Sequence, residues 1–87
     1  MERQKYIVKD KAGLHARPAS ILSAAASKYR GNVDIIYKDK KVTLKSIMFL
    51  MSLGIPYQAE FYIEVNGDQE KEQIMTFTDI LTKYKII

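Results

Sequence analysis

Between Glu60 and Asn66, apolar residues fall on every second position: Phe61, Ile63 and Val65 alternate with Glu60, Tyr62, Glu64 and Asn66. Successive strand side chains point to opposite faces, so this segment is a half-buried strand. It needs partner strands beside it and a second layer over its apolar side. The other residues of the 87-residue chain must supply both. A chain of this size buries somewhat more than about 60% of the surface its unfolded form exposes, which leaves room for one core. Residues 1–87 are therefore read as one domain.

The remaining segments supply those parts. Tyr6 and Val8 alternate with Lys5, Ile7 and Lys9, predicting a first strand over about Glu2 to Lys9, broken by Asp10-Lys11-Ala12-Gly13. Ala19, Leu22, Ala26 and Tyr29 share one helical face, so a helix runs from about Ala16 to Lys28, with Arg30-Gly31-Asn32 as its stop. Val33, Ile35 and Tyr37 form a second strand, Lys38-Asp39-Lys40 a hairpin turn, and Lys41 to Leu44 an antiparallel third strand. Ser46 and Gly54 punctuate a short helix over Ile47 to Leu53, with serine as N-cap and glycine as stop. After Asn66-Gly67-Asp68, with Asp68 a candidate cap, Ile74, Phe77, Leu81 and Tyr84 line a last helix from about Gln69 to Tyr84. The order β-α-β-β-α-β-α predicts an α/β protein of the α+β type, a two-layer sandwich with three helices on one sheet face and water on the other.

Composition excludes several function classes. The chain has no cysteine, which removes disulfides and thiolate metal sites and agrees with a reducing compartment. One histidine and scattered carboxylates show no metal-ligand spacing, and no cofactor is expected. The N-terminal segment lacks an apolar signal core, and the longest apolar run, Ile47 to Met51, is too short to span a bilayer. A cytoplasmic soluble protein is expected. The net charge of +4 would suit nucleic acid or an acidic protein surface, but the lysines are spread along the chain and read as solvated surface. No paired aromatic platform or backbone-clamping glycine loop supports a nucleic-acid-binding domain.

The chemistry concentrates at Gly13-Leu14-His15-Ala16-Arg17-Pro18-Ala19-Ser20, where a loop becomes a helix. An ordinary imidazole has a pKa of about 6.5, so near neutrality much of it carries a free nitrogen lone pair. The unpaired N–H groups of a helix start favour negative charge, and Arg17 adds a permanent cation. Pro18 suits the first turn, where its missing N–H is no loss, although a residue before proline is biased away from helical angles and Arg17 is read as the last non-helical position. That combination suits a histidine carrying a phosphoryl group. The plainer alternative is a histidine that caps a helix without chemistry. With no partner base or metal beside His15, an autonomous enzyme is not expected.

That octapeptide, with Lys45-Ser46-Ile47-Met48 and Met51-Ser52-Leu53-Gly54, resembles the HPr/Crh family, the histidine-containing phosphocarrier proteins of the bacterial phosphotransferase system. The resemblance covers nearly the whole chain and implies an open-faced β-sandwich with a four-stranded antiparallel sheet. It implies that Nδ1 of His15 takes a phosphoryl group from enzyme I and passes it to IIA domains of sugar permeases. Ala16 and Arg17 would then lend backbone N–H groups to the phosphate, Pro18 would start the helix, and the Arg17 guanidinium would pair with phosphate oxygens. The resemblance further implies regulatory phosphorylation of Ser46 by HPr kinase/phosphorylase and binding of the seryl-phosphorylated form to the repressor CcpA. Leu50 and Leu53 should face the core, leaving Ile47, Met48 and Met51 outward as an apolar patch enlarged by Phe49, where such partners would dock. A monomer is expected.

The chain departs from the family pattern at Phe49, where Gram-positive members usually have glycine, at Ala12, where serine or asparagine is common, and in its basic charge. These departures suggest a specialised paralogue. The alternative within the family is a Crh-like regulator acting only through its serine phosphate, a class that lacks the active histidine.

Overall fold

The computed structural model describes residues 1–87. Its elements are β1 (Glu2–Ile7), α1 (Ala16–Ser27), β2 (Asn32–Tyr37), β3 (Lys40–Thr43), α2 (Ile47–Ser52), β4 (Glu60–Asn66) and α3 (Glu70–Lys83), the order read from the sequence. The sheet runs β1-β4-β2-β3 with every neighbouring pair antiparallel. Tyr6 lies opposite Phe61, Val33 opposite Val65, and Ile35 opposite both Ile63 and Val42. Register thus gathers the apolar set on one face, as the period of two demands.

The helices cover that face. Ala19, Leu22 and Ala26 of α1, Leu50 of α2, and Ile74, Phe77 and Leu81 of α3 are all buried against it in one cluster. Tyr6 stacks on Phe61 at 5.3 Å between centroids, and its hydroxyl bonds the Thr78 hydroxyl at 2.7 Å, so a buried phenol keeps a partner. Burial pushes the Tyr6 phenol above its ordinary pKa despite that bond. On the open face, Glu64 is only 7% exposed, because Lys41 Nζ sits 2.9 Å and Arg3 Nη1 3.9 Å from its carboxylate. Arg3 also lies 4.4 Å over the Tyr62 ring.

Several local expectations are corrected. The β1 ladder ends at Ile7 rather than Lys9, because Gln58, with φ +70°, turns the opposing chain. Val8 stays paired to Gln58 and Ala59, while the Lys9 N–H donates to Ile86 O. Gly31 is no left-handed helix stop. A Cβ there would lie 2.2 Å from Asn66 O, so glycine permits a close backbone approach. Asp68 does not cap α3. The N-cap is Gln69 with φ +53° and no side-chain cap bond, and Glu70 Oε2 accepts the Gly67 N–H of the preceding turn at 2.9 Å. Ile86, in the tail after α3, is fully buried although no helical periodicity marked it. Gly54 with φ +59° ends α2 as read.

Candidate functional site

The loop between β1 and α1 is built around Asp10. Its Oδ1 accepts the Ala12 N–H at 2.9 Å and its backbone oxygen accepts the Gly13 N–H at 2.9 Å, which closes a tight turn. Gly13 follows with φ +72°, and a Cβ there would lie 2.6 Å from Ile55 O, so only glycine fits both the angle and the space. Leu14 is buried, and its N–H donates to the same Ile55 oxygen at 3.0 Å. The loop is thereby stitched to the segment that follows α2.

His15 comes next, extended at φ −89° and ψ 178°, in the N-cap position of α1. Its side chain makes no cap hydrogen bond, which removes the helix-capping alternative. The imidazole is 41% exposed and its Nε2 lies 3.2 Å from Asp10 Oδ2. The Ala12 N–H, more than the imidazole, holds the Asp10 carboxyl below its ordinary pKa, so it is an anion near neutrality.

Ala16 and Arg17 are exposed and hold the first two positions of α1. Helix geometry gives their N–H groups no intrahelical acceptor, and no other group of the protein accepts from them. Pro18, buried in the first turn, has no N–H to satisfy. Arg17 is helical, contrary to the pre-proline expectation: α1 begins at Ala16. No acidic residue in that turn offsets the positive end of the helix.

α2 packs against α1 and forms the rest of the surface. Ser46 caps it as read, its Oγ accepting the Phe49 N–H at 3.2 Å. Beside it, the Lys45 ammonium donates to Tyr29 O at 2.7 Å, past the end of α1. Leu50 and Leu53 are buried, whereas Ile47, Met51, Phe49 (51% exposed) and Met48 (76% exposed) face outward. An apolar patch of this kind is uncommon on a monomer without a partner. No helix is long and apolar enough to cross a membrane. The structure holds no group of three or more histidine, aspartate or glutamate side chains placed to bind a metal ion.

Asp10 is the site residue that sequence reading missed. Its signal was an acidic residue opening Asp10-Lys11-Ala12-Gly13, which read only as a strand breaker.

An open-faced antiparallel sandwich with an exposed histidine at the first helix start defines a class of small phosphoryl carriers. Residues 2–83 match the family model described as PTS HPr component phosphorylation site. The chain belongs to the HPr family, the phosphocarriers of the phosphotransferase system, whose partners are other proteins of that system. A histidine-containing phosphocarrier protein from Mycoplasma is 36% identical, with a TM-score of 0.95 over 99% of this chain and 98% of that one. HPr from Thermoanaerobacter tengcongensis is 37% identical, with a TM-score of 0.87 over 99% of this chain and 96% of that one. Crh from Bacillus subtilis, a catabolite-repression protein seen as a swapped, intertwined dimer, is 32% identical, with a TM-score of 0.72 over 100% and 99%.

Proposed function

We propose that His15 accepts a phosphoryl group from enzyme I and hands it to IIA domains of sugar permeases. The observation that carries this reading is the exposed imidazole at a helix start whose Ala16 and Arg17 N–H groups have no partner in the protein. A ring nitrogen attacks phosphorus and the bond to the donor breaks. The new oxygens then meet two N–H donors, the positive helix end and the Arg17 guanidinium. The donors are in place before the group arrives, so little reorganisation opposes transfer. Pro18 fixes the backbone of that turn. The patch of Ile47, Met48, Phe49 and Met51 is the docking surface for both donor and acceptor proteins, with the carrier acting as a cytoplasmic monomer.

Incubation with phosphoenolpyruvate and enzyme I is expected to add one phosphoryl mass that is lost in acid and absent from His15→Ala. No added mass, or an adduct that survives this substitution, overturns the reading.

A second modification site is Ser46, as substrate of HPr kinase/phosphorylase, with the product recognised by CcpA. Its support is the N-cap position: a phosphate there places close to two negative charges at a helix start, which the fold tolerates. The same charge falls beside the apolar patch and would weaken partners that need it uncharged. ATP and that kinase are expected to phosphorylate the wild type but not Ser46→Ala. Because His15 is present, carriage is favoured over a Crh-like role confined to the serine.

A further inference from the structure

A neutral imidazole carries its proton on one nitrogen and its lone pair on the other. An ionised carboxylate accepts hydrogen bonds and donates none. With Asp10 Oδ2 3.2 Å from Nε2, the proton belongs on Nε2 and the lone pair on Nδ1. Asp10 is not a mobile surface acid. Its other oxygen is held by the Ala12 N–H and its carbonyl by the Gly13 N–H, so the turn that shapes the loop also aims Oδ2 at the ring. The turn uses only Oδ1, which leaves Oδ2 without a structural duty.

We infer that Asp10 is a positioning residue for phosphoryl transfer: it selects the Nε2–H tautomer of His15, so that Nδ1 is the nucleophile, and it stabilises the ring once phosphorylated. This rests on the reading of His15 as the phosphoryl acceptor. In the step itself, the Nδ1 lone pair forms the N–P bond while the bond from phosphorus to the phosphohistidine nitrogen of the donor breaks, its electron pair leaving with the donor. No proton moves, so the ring becomes a cation whose N–H already faces a carboxylate. That anion lowers the energy of the charged product, and the reverse holds on release, when the neutral ring returns to the same tautomer.

The discriminating variant is Asp10→Asn. Its amide oxygen keeps the Ala12 N–H and hence the turn, but its NH2 now faces the imidazole and donates to Nε2, which moves the proton to Nδ1 and blocks the nucleophile. Asp10→Ala removes both oxygens and reports the combined loss. Two measurements are made on full-length protein. Nitrogen-15 chemical shifts of the ring, at mildly alkaline pH where an ordinary imidazole is neutral, report the tautomer. Rapid-quench kinetics with phosphorylated enzyme I report kcat and KM separately.

The wild type is expected to show the Nε2–H pattern and Asp10→Asn the Nδ1–H pattern. Its kcat should fall about tenfold or more, as when groups orienting a working imidazole are removed, with KM for enzyme I nearly unchanged because the docking patch lies elsewhere. Transfer by Asp10→Asn at the wild-type kcat overturns the inference, whatever the tautomer, and so does an unchanged Nε2–H pattern. A fall seen only as raised KM also overturns it. If the wild type itself takes no phosphoryl group, the acceptor reading fails instead, a result separate from these.

Discussion

Gly13 meets two demands at one atom. Its φ of +72° is strained for any side chain, and the space a Cβ would fill belongs to Ile55 O. Relief of either strain moves Leu14 away from that oxygen and tilts His15 out of line with the helix start. Gly13→Ala is therefore expected to lower unfolding free energy by about 1–3 kcal/mol, measured by urea titration, and to slow phosphorylation of His15 as well. A variant with wild-type stability would show that the loop adapts without strain. Asp10 shows why a local role is hard to read from sequence. One of its carboxylate oxygens closes a turn and the other meets an imidazole five residues on, and nothing in a linear pattern tells a turn-former from a partner.

α2 is too short to hold itself together by propensity alone, so its ends carry a large share of its stability. Ser46 supplies one of them. Ser46→Ala is expected to destabilise the protein by about 1 kcal/mol, whereas Ser46→Asp, which keeps an acceptor for the Phe49 N–H, should leave the thermal midpoint near that of the wild type. An unchanged stability in Ser46→Ala would show that the cap contributes nothing. This helix was legible because serine, glycine and the Leu50–Leu53 spacing all act within a few residues. Strand alternation made β4 and its inward Phe61, Ile63 and Val65 legible for the same reason. The beginning of α3 was not. Its N-cap, Gln69, sits in a left-handed backbone conformation and makes no side-chain cap bond, while Glu70 reaches back to the Gly67 N–H of the preceding turn; Asp68 carried the more familiar capping chemistry. Gly31 likewise looked like punctuation, yet its reason is a distant strand, Asn66, that no window of sequence contains.

Across the molecule, charge is arranged to be lost in acid. The carboxyls of Asp10 and Glu70 both lie below their ordinary pKa, each chiefly because a backbone N–H donates to it: Ala12 for Asp10 and Gly67 for Glu70. Glu70 also meets the N-terminal ammonium at 2.9 Å, which ties the chain start to α3. A group with a depressed folded pKa binds fewer protons folded than unfolded between the two values. Its stabilisation is complete above the unfolded carboxylate range and disappears as pH falls through the folded value. Thermal midpoints are expected to fall below about pH 4, and Glu70→Gln should flatten that acid limb while lowering stability at neutral pH. An unchanged limb would remove the Glu70 contribution.

The bond from Leu14 N–H to Ile55 O, with Gly13 packed against that oxygen, ties the chemically active segment to the body of the protein in the resting state. Ordering entropy for that segment is thus spent during folding rather than at each encounter. The Leu14 amide should exchange its proton with solvent as slowly as amides of the central strands, and a relay that must load and unload repeatedly gains a receptacle that never has to reassemble.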